Sequence, residues 1–277
     1  MRQLQALGWT EERNLRIDYR WPGEDVERMR ADAEDVAASK PDMIFAHGGP
    51  ALAAASKATR TTPIVFVQTP DPIEAGFVVS LAHPGGNLTG FTNFEPQMGG
   101  KWLGLLKEIV PSVSRALLLM TPQSASAAAY FKVISAAADA LAVRLSTAVA
   151  HDAPELVNVL SAFAGKSNGG LIVLPSPISA NYSKLVVELC SKYALPAIYP
   201  FRFFAEGGGL MSYGSDTADM YRQAAFYVDR ILRGANPGDL PIQQPTKFEL
   251  VINTRTAKAL GLEVPPTLLT RADEVIE

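Results

Sequence analysis

Short apolar runs, turns and helical stretches follow one another along this chain in a repeating order. Residues 43–46 are apolar, His47-Gly48-Gly49-Pro50 turns the chain, and 51–59 is an alanine-rich stretch that reads as a helix. Residues 63–68 form a second, β-branched run, and Thr69-Pro70-Asp71-Pro72 turns the chain again. An apolar run that meets a Gly/Pro turn and then a helix is how a parallel, doubly wound sheet is written. Ligands of such sheets bind where strands end at their carboxyl edge. The turns at 47–51 and 69–72 are therefore expected to form one wall of a ligand site.

The same reading extends in both directions. Residues 1–8 look like the end of a helix, with Leu4 and Leu7 on one face and Gly8 as its stop. Residues 14–21 alternate, which predicts a half-buried strand, and 24–39 predict an amphipathic helix. A strand at 88–91 and a helix at 99–110 follow. The pattern restarts after Pro111, with strands at 116–120, 144–150, 170–174 and 196–199 separated by helices at 130–142, 155–163 and 182–193. Two similar lobes result, 1–113 plus 214–246 and 114–213 plus 247–277. The last third adds no third copy. A strand at 210–213, a helix at 217–232 and a strand at 248–253 read as chain crossing to the first lobe and returning, a three-strand hinge.

Composition narrows the function. The chain has 277 residues, a net charge of −3 and no basic stripe, which argues against a nucleic-acid partner. No apolar run reaches membrane-spanning length. His47, His83, His151 and the single Cys190 share no metal-ligand spacing, so no metal and no cofactor is expected. Cys190 reads as a small buried hydrophobe. Gly99-Gly100-Lys101 is followed by Trp102 and does not make a phosphate loop, and Gly207-Gly208-Gly209 precedes a strand, the wrong order for a dinucleotide fingerprint.

Several stretches together resemble the ABC-transporter substrate-binding proteins of the type I periplasmic binding-protein fold, in the group with tryptophan- and other aromatic-amino-acid-binding members. The matching runs include Gly48-Gly49-Pro50-Ala51, Asp71-Pro72, Pro84-Gly85-Gly86-Asn87-Leu88-Thr89-Gly90, Leu195-Pro196-Ala197-Ile198-Tyr199 and Gly208-Gly209-Leu210-Met211-Ser212-Tyr213-Gly214. The resemblance implies a non-enzymatic capture protein, periplasmic or extracellular and monomeric. It closes two lobes on a small ligand and delivers it to a membrane permease. Members begin with a signal peptide and a first strand. Here Met1-Arg2-Gln3 leads directly into the first helix, so the first strand of lobe 1 is expected to be missing.

The candidate site residues each have a structural alternative. Gly48, Gly49 and Ala51 open a helix whose N–H groups could hold a carboxylate, or they serve a tight turn. Asp71 either pairs with a ligand ammonium or initiates its turn, with Thr69 as a companion donor. Thr89 and Asn93 are placed at the cleft edge, and Asn87 reads as structural. Ser124, Ser176, Tyr199, Phe201 and Asp216 fall at strand ends or crossings of the second wall. Tyr199 and Phe201 either stack on an aromatic ligand or pack in the core, and Asp216 also suits helix capping. The expected ligand is an amino acid or an aromatic or other organic carboxylate. Two other readings remain. A racemase-like enzyme lacks an evident acid/base pair, and the effector domain of a regulator lacks a DNA-binding segment in residues 1–22.

Overall fold

The computed structural model describes residues 1–23, 25–93, 95–120 and 125–277. Its elements, numbered in chain order, begin with α1 (Arg2–Ala6), α2 (Val26–Ala38), β1 (Ile44–His47), α3 (Gly48–Ala58), β2 (Ile64–Thr69) and β3 (Leu88–Thr92). Next come α4 (Met98–Ile109), β4 (Arg115–Met120), α5 (Ala125–Ala140), β5 (Arg144–Val149), α6 (Ala153–Ala164), β6 (Gly169–Val173), α7 (Pro177–Asn181) and α8 (Ser183–Lys192). The chain ends with β7 (Ala197–Tyr199), α9 (Arg202–Glu206), β8 (Met211–Ser215), α10 (Thr217–Leu232), β9 (Phe248–Asn253), α11 (Thr254–Ala259), α12 (Pro266–Arg271) and β10 (Glu274–Ile276). Two compact units result, Met1–Phe94 with Asp216–Thr246, and Glu95–Ser215 with Lys247–Glu277. The chain therefore passes from one unit to the other three times.

In the first unit β1, β2 and β3 form a parallel sheet in that order. The central strand β2 is apolar on both faces. Ile64 and Phe66 pack with Leu52 and Ala55 of α3, while Val65 and Val67 meet Val228, Ile231, Met220 and Ala224 of α10. A strand covered by helices on both sides reads as a continuous apolar run, and each such side chain contributes about 1.5–3 kcal/mol by leaving water. Gly90 lets β3 approach β2. A Cβ there would lie 2.1 Å from the Phe66 carbonyl oxygen.

The strand expected at 14–21 does not form, and this stretch carries only an isolated bridge between Glu11 and Leu15. Its alternating side chains have no sheet face to cover. Tyr19 and Trp21 instead stack on each other, with ring centroids 6.3 Å apart, and both stay exposed.

The second sheet runs β10-β9-β8-β7-β6-β4-β5. Its pairs are parallel except β8 with β9. That pair departs from the all-parallel expectation, because after the excursion through α10 the chain re-enters this unit at the end where β8 left it, and Phe248 pairs with Ser215. Helix α4 also departs from expectation. The boundary expected after residue 113 would give α4 to the first unit, but it belongs to the second. Leu106 of α4 packs against Gly170 of β6, Gly99 against Ile134 of α5, and Trp102 Nε1 donates to the Tyr213 carbonyl at 2.7 Å. The apolar face of α4 was legible in sequence, but the surface it covers was not.

Candidate functional site

In the first unit the carboxyl ends of the strands gather a polar cluster. β1 ends at His47 and α3 starts at once, with Gly48 at a φ of 83° that a side chain disfavours. The N-cap residue His47 makes no side-chain cap hydrogen bond to α3. Its first turn presents the N–H groups of Gly48, Gly49 and Ala51, and Pro50 has none to leave unmet. A Cβ on Gly49 would meet only Pro70 Cδ, at 3.9 Å, so its own unit does not demand a glycine there. The missing side chain instead leaves the positive end of the helix dipole uncovered.

His47 Nδ1 lies 2.6 Å from the Tyr221 hydroxyl of α10, and the two rings stack 13° from parallel. Packing against Tyr221 desolvates the imidazole and pulls its pKa below the usual 6.5, so the ring is neutral at pH 7. The same desolvation raises the Tyr221 phenol.

At the end of β2, Gln68 holds a left-handed backbone, with φ at 56°. For a residue with a Cβ this costs about 1–2 kcal/mol. Its Oε1 accepts from Asn93 Nδ2 at 2.7 Å, and its Nε2 donates to Thr217 Oγ1 at 3.2 Å. Thr69 follows, 1% exposed, and its hydroxyl has no hydrogen-bond partner among the described residues. Asp71 Oδ1 accepts from the N–H groups of Ile73 and Glu74, both at 3.1 Å, and so shapes its turn. Asn87 is structural, donating to the Thr62 carbonyl at 2.7 Å. Thr89 must be corrected. It is fully buried and its hydroxyl donates to the Leu240 carbonyl at 2.7 Å, so it is a packing residue and not an edge of a site.

In the second unit the strand order reverses between β4 and β6, with β5 on one side of β4 and β6 on the other. Crevices at such switch points take ligands. The carboxyl end of β6 leads to Ser176, which caps α7 in a reciprocal box with Ser179, each oxygen accepting a backbone N–H. Ser124, expected beyond β4, lies outside the described residues. Phe201 is half-buried after β7 and stacks on Phe203, with centroids 5.5 Å apart. Tyr199 is also corrected. It is 1% exposed and stacked on Phe204 at 4.7 Å, in a core with Cys190 and Val187, so it cannot stack on a ligand. Asp216 belongs to the first unit, not to the second wall. It caps α10 by accepting from the Asp219 N–H at 2.9 Å and pairs with Arg222 at 3.6 Å.

Sequence reasoning thus brought Gly48, Gly49, Ala51, Thr69, Asp71 and Asn93 to one sheet edge of one unit. It missed Gln68, Thr217 and Tyr221. The available signal for Gln68 was a polar residue closing an otherwise apolar strand. No local pattern announces Thr217 or Tyr221, which arrive from about 150 positions away and farther.

Two α/β units, each with helices on its sheet and joined by three crossings, define the class of proteins with the type I periplasmic binding fold. The comparisons agree. A solved structure of a conserved domain protein from Vibrio cholerae superposes with a TM-score of 0.91 at 28% identity, covering 99% of this chain and 92% of that one. The structure of an ABC domain from Streptococcus pneumonia in complex with L-Trp gives 0.91 at 23%, with the same coverage. A tyrosine-binding protein of Clostridioides difficile is 24% identical over 263 residues, which span 95% of this chain and 75% of the relative. The family described as ABC transporter substrate binding protein matches residues 1–276, and this chain belongs to it.

Proposed function

We propose that this chain captures an aromatic amino acid for an ABC importer. The reading rests on the family match over 1–276 and on the tyrosine-binding relative, with the L-Trp complex of a protein of the same fold as support. The chain acts by binding alone, as a periplasmic or extracellular monomer that hands its ligand to a membrane permease.

In this reading the first unit anchors the backbone of the amino acid. The N–H groups of Gly48, Gly49 and Ala51 receive the carboxylate, where the helix dipole favours an anion. Asp71 receives the ammonium through Oδ2, its Oδ1 being engaged in the turn. The Thr69 hydroxyl and Asn93 supply further polar contacts. Ser124, Ser176 and Phe201 are proposed as further ligand contacts.

The test is calorimetric titration of the purified chain with L-tyrosine, L-tryptophan and L-phenylalanine beside aliphatic amino acids and an aromatic carboxylate without an ammonium. The expected result is preference for the aromatic amino acids. Asp71→Ala should weaken them by about 1–3 kcal/mol while leaving the deaminated carboxylate unchanged. Equal affinity for aliphatic ligands would sink the proposed ligand class, and an unaffected Asp71→Ala variant would remove Asp71 from the site.

A further inference from the structure

Gln68 stands at an irregularity of the first sheet. Phe66 of β2 pairs with Gly90 of β3 and Thr69 with Thr92, so Val67 and Gln68 oppose Phe91 alone. This is a bulge, and bulges re-aim side chains near functional sites. The bulged residue is the left-handed Gln68, where a glycine would sit without strain. Glycine would lack the amide, and the amide joins two distant segments. Asn93 precedes the first passage of the chain between units by one residue, and Thr217 follows the second passage by one residue. The Asn93 N–H also donates to the Thr69 carbonyl at 3.3 Å, so the end of β2 holds that segment by main chain and side chain together. The next residue, Thr69, keeps a buried hydroxyl without a partner among the described residues.

We infer that Gln68 is a positioning residue for ligand capture. It ties the segments that enter and leave the first unit to the strand end carrying Thr69 and Asp71, so that binding at this edge is coupled to those segments. The inference rests on the proposed function for where ligand binds, and its test separates the two.

The variants are Gln68→Gly, which accepts the backbone and deletes the amide, and Gln68→Glu. In the latter an acceptor remains for Asn93, and the Thr217 hydroxyl can turn to donate. Three quantities are measured: the ligand-free thermal midpoint, the affinity for L-tyrosine and L-tryptophan, and backbone amide exchange at Thr92, Asn93, Asp219 and Met220 without ligand. In Gln68→Gly we expect a midpoint within a few degrees of wild type, at least tenfold weaker binding, and faster exchange at those four amides. Gln68→Glu should restore most of both. Wild-type affinity and wild-type exchange in Gln68→Gly would overturn the inference, as would a loss of midpoint with affinity unchanged. If the wild-type chain binds neither amino acid, the proposed ligand fails. The exchange data then decide alone: faster exchange supports the positioning role and unchanged exchange removes it.

Discussion

The Nδ1 atom of His47 and the hydroxyl of Tyr221 stand 2.6 Å apart and join the end of β1 to the second turn of α10. The pair sets an acid limit on the first unit. Because packing lowers the His47 pKa, the unfolded chain binds more protons than the native one between that lowered value and 6.5. Stability therefore falls as pH falls through this window. Thermal midpoints taken from pH 7 to pH 5 should decline, and His47→Gln should show a shallower decline. Equal slopes would assign the acid sensitivity to other groups. Tyr221→Phe at pH 7 should cost only about 0.5 kcal/mol, since the pair is partly solvated.

Trp102 tests the placement of α4. Its ring is 1% exposed, packs on Tyr130 with centroids 5.1 Å apart, and donates to the Tyr213 carbonyl. Trp102→Phe leaves that partly buried carbonyl short of a donor and opens space beside Tyr130. Urea unfolding should show a loss of about 2 kcal/mol. A loss under about 0.5 kcal/mol would contradict the packing of α4 in the second unit.

Two glycines separate steric need from backbone need. A Cβ on Gly214 would lie 1.8 Å from the Pro200 carbonyl oxygen, whereas one on Gly261 meets nothing within 4 Å, although its φ is 69°. Gly214→Ala should destabilise by more than about 3 kcal/mol, because β7 and β8 must separate. Gly261→Ala should cost only about 1 kcal/mol, for left-handed backbone alone. Reversed magnitudes in denaturant melts would refute the close approach of these strands.

Cys190 should be chemically silent in the native protein. It is buried in the core of the second unit, and desolvation pushes its thiol up to about 12. Reaction needs the thiolate. A thiol reagent at pH 8 should therefore label less than a tenth of the native chain within minutes and one thiol per chain in denaturant. Rapid native labelling would mean that α8 opens.

Much of the fold could be read from local pattern. The apolar run of β2 announced a strand covered on both faces, and the span of α10 followed from its amphipathic period and Asp216 cap. The alternation at 14–21 misled because periodicity reports what a strand would bury, not whether a partner strand lies beside it. Tyr199 and Thr89 misled for a related reason. A strand-end position says that a side chain is near an edge, and only packing tells whether it points into Phe204 or toward Leu240.

The sequence by itself determined most of the elements, the two-unit plan and the run of small residues at the start of α3. These depend on dihedral preferences and on hydrophobic period, which neighbours in the chain carry. The tertiary structure alone decided which unit takes α4, the antiparallel entry of β9, and the meeting of Gln68 with Asn93 and Thr217. Each of these is a contact between segments from 25 to about 150 positions apart. Such contacts are selected by burial and hydrogen-bond satisfaction across the whole unit, and no window of sequence contains both partners.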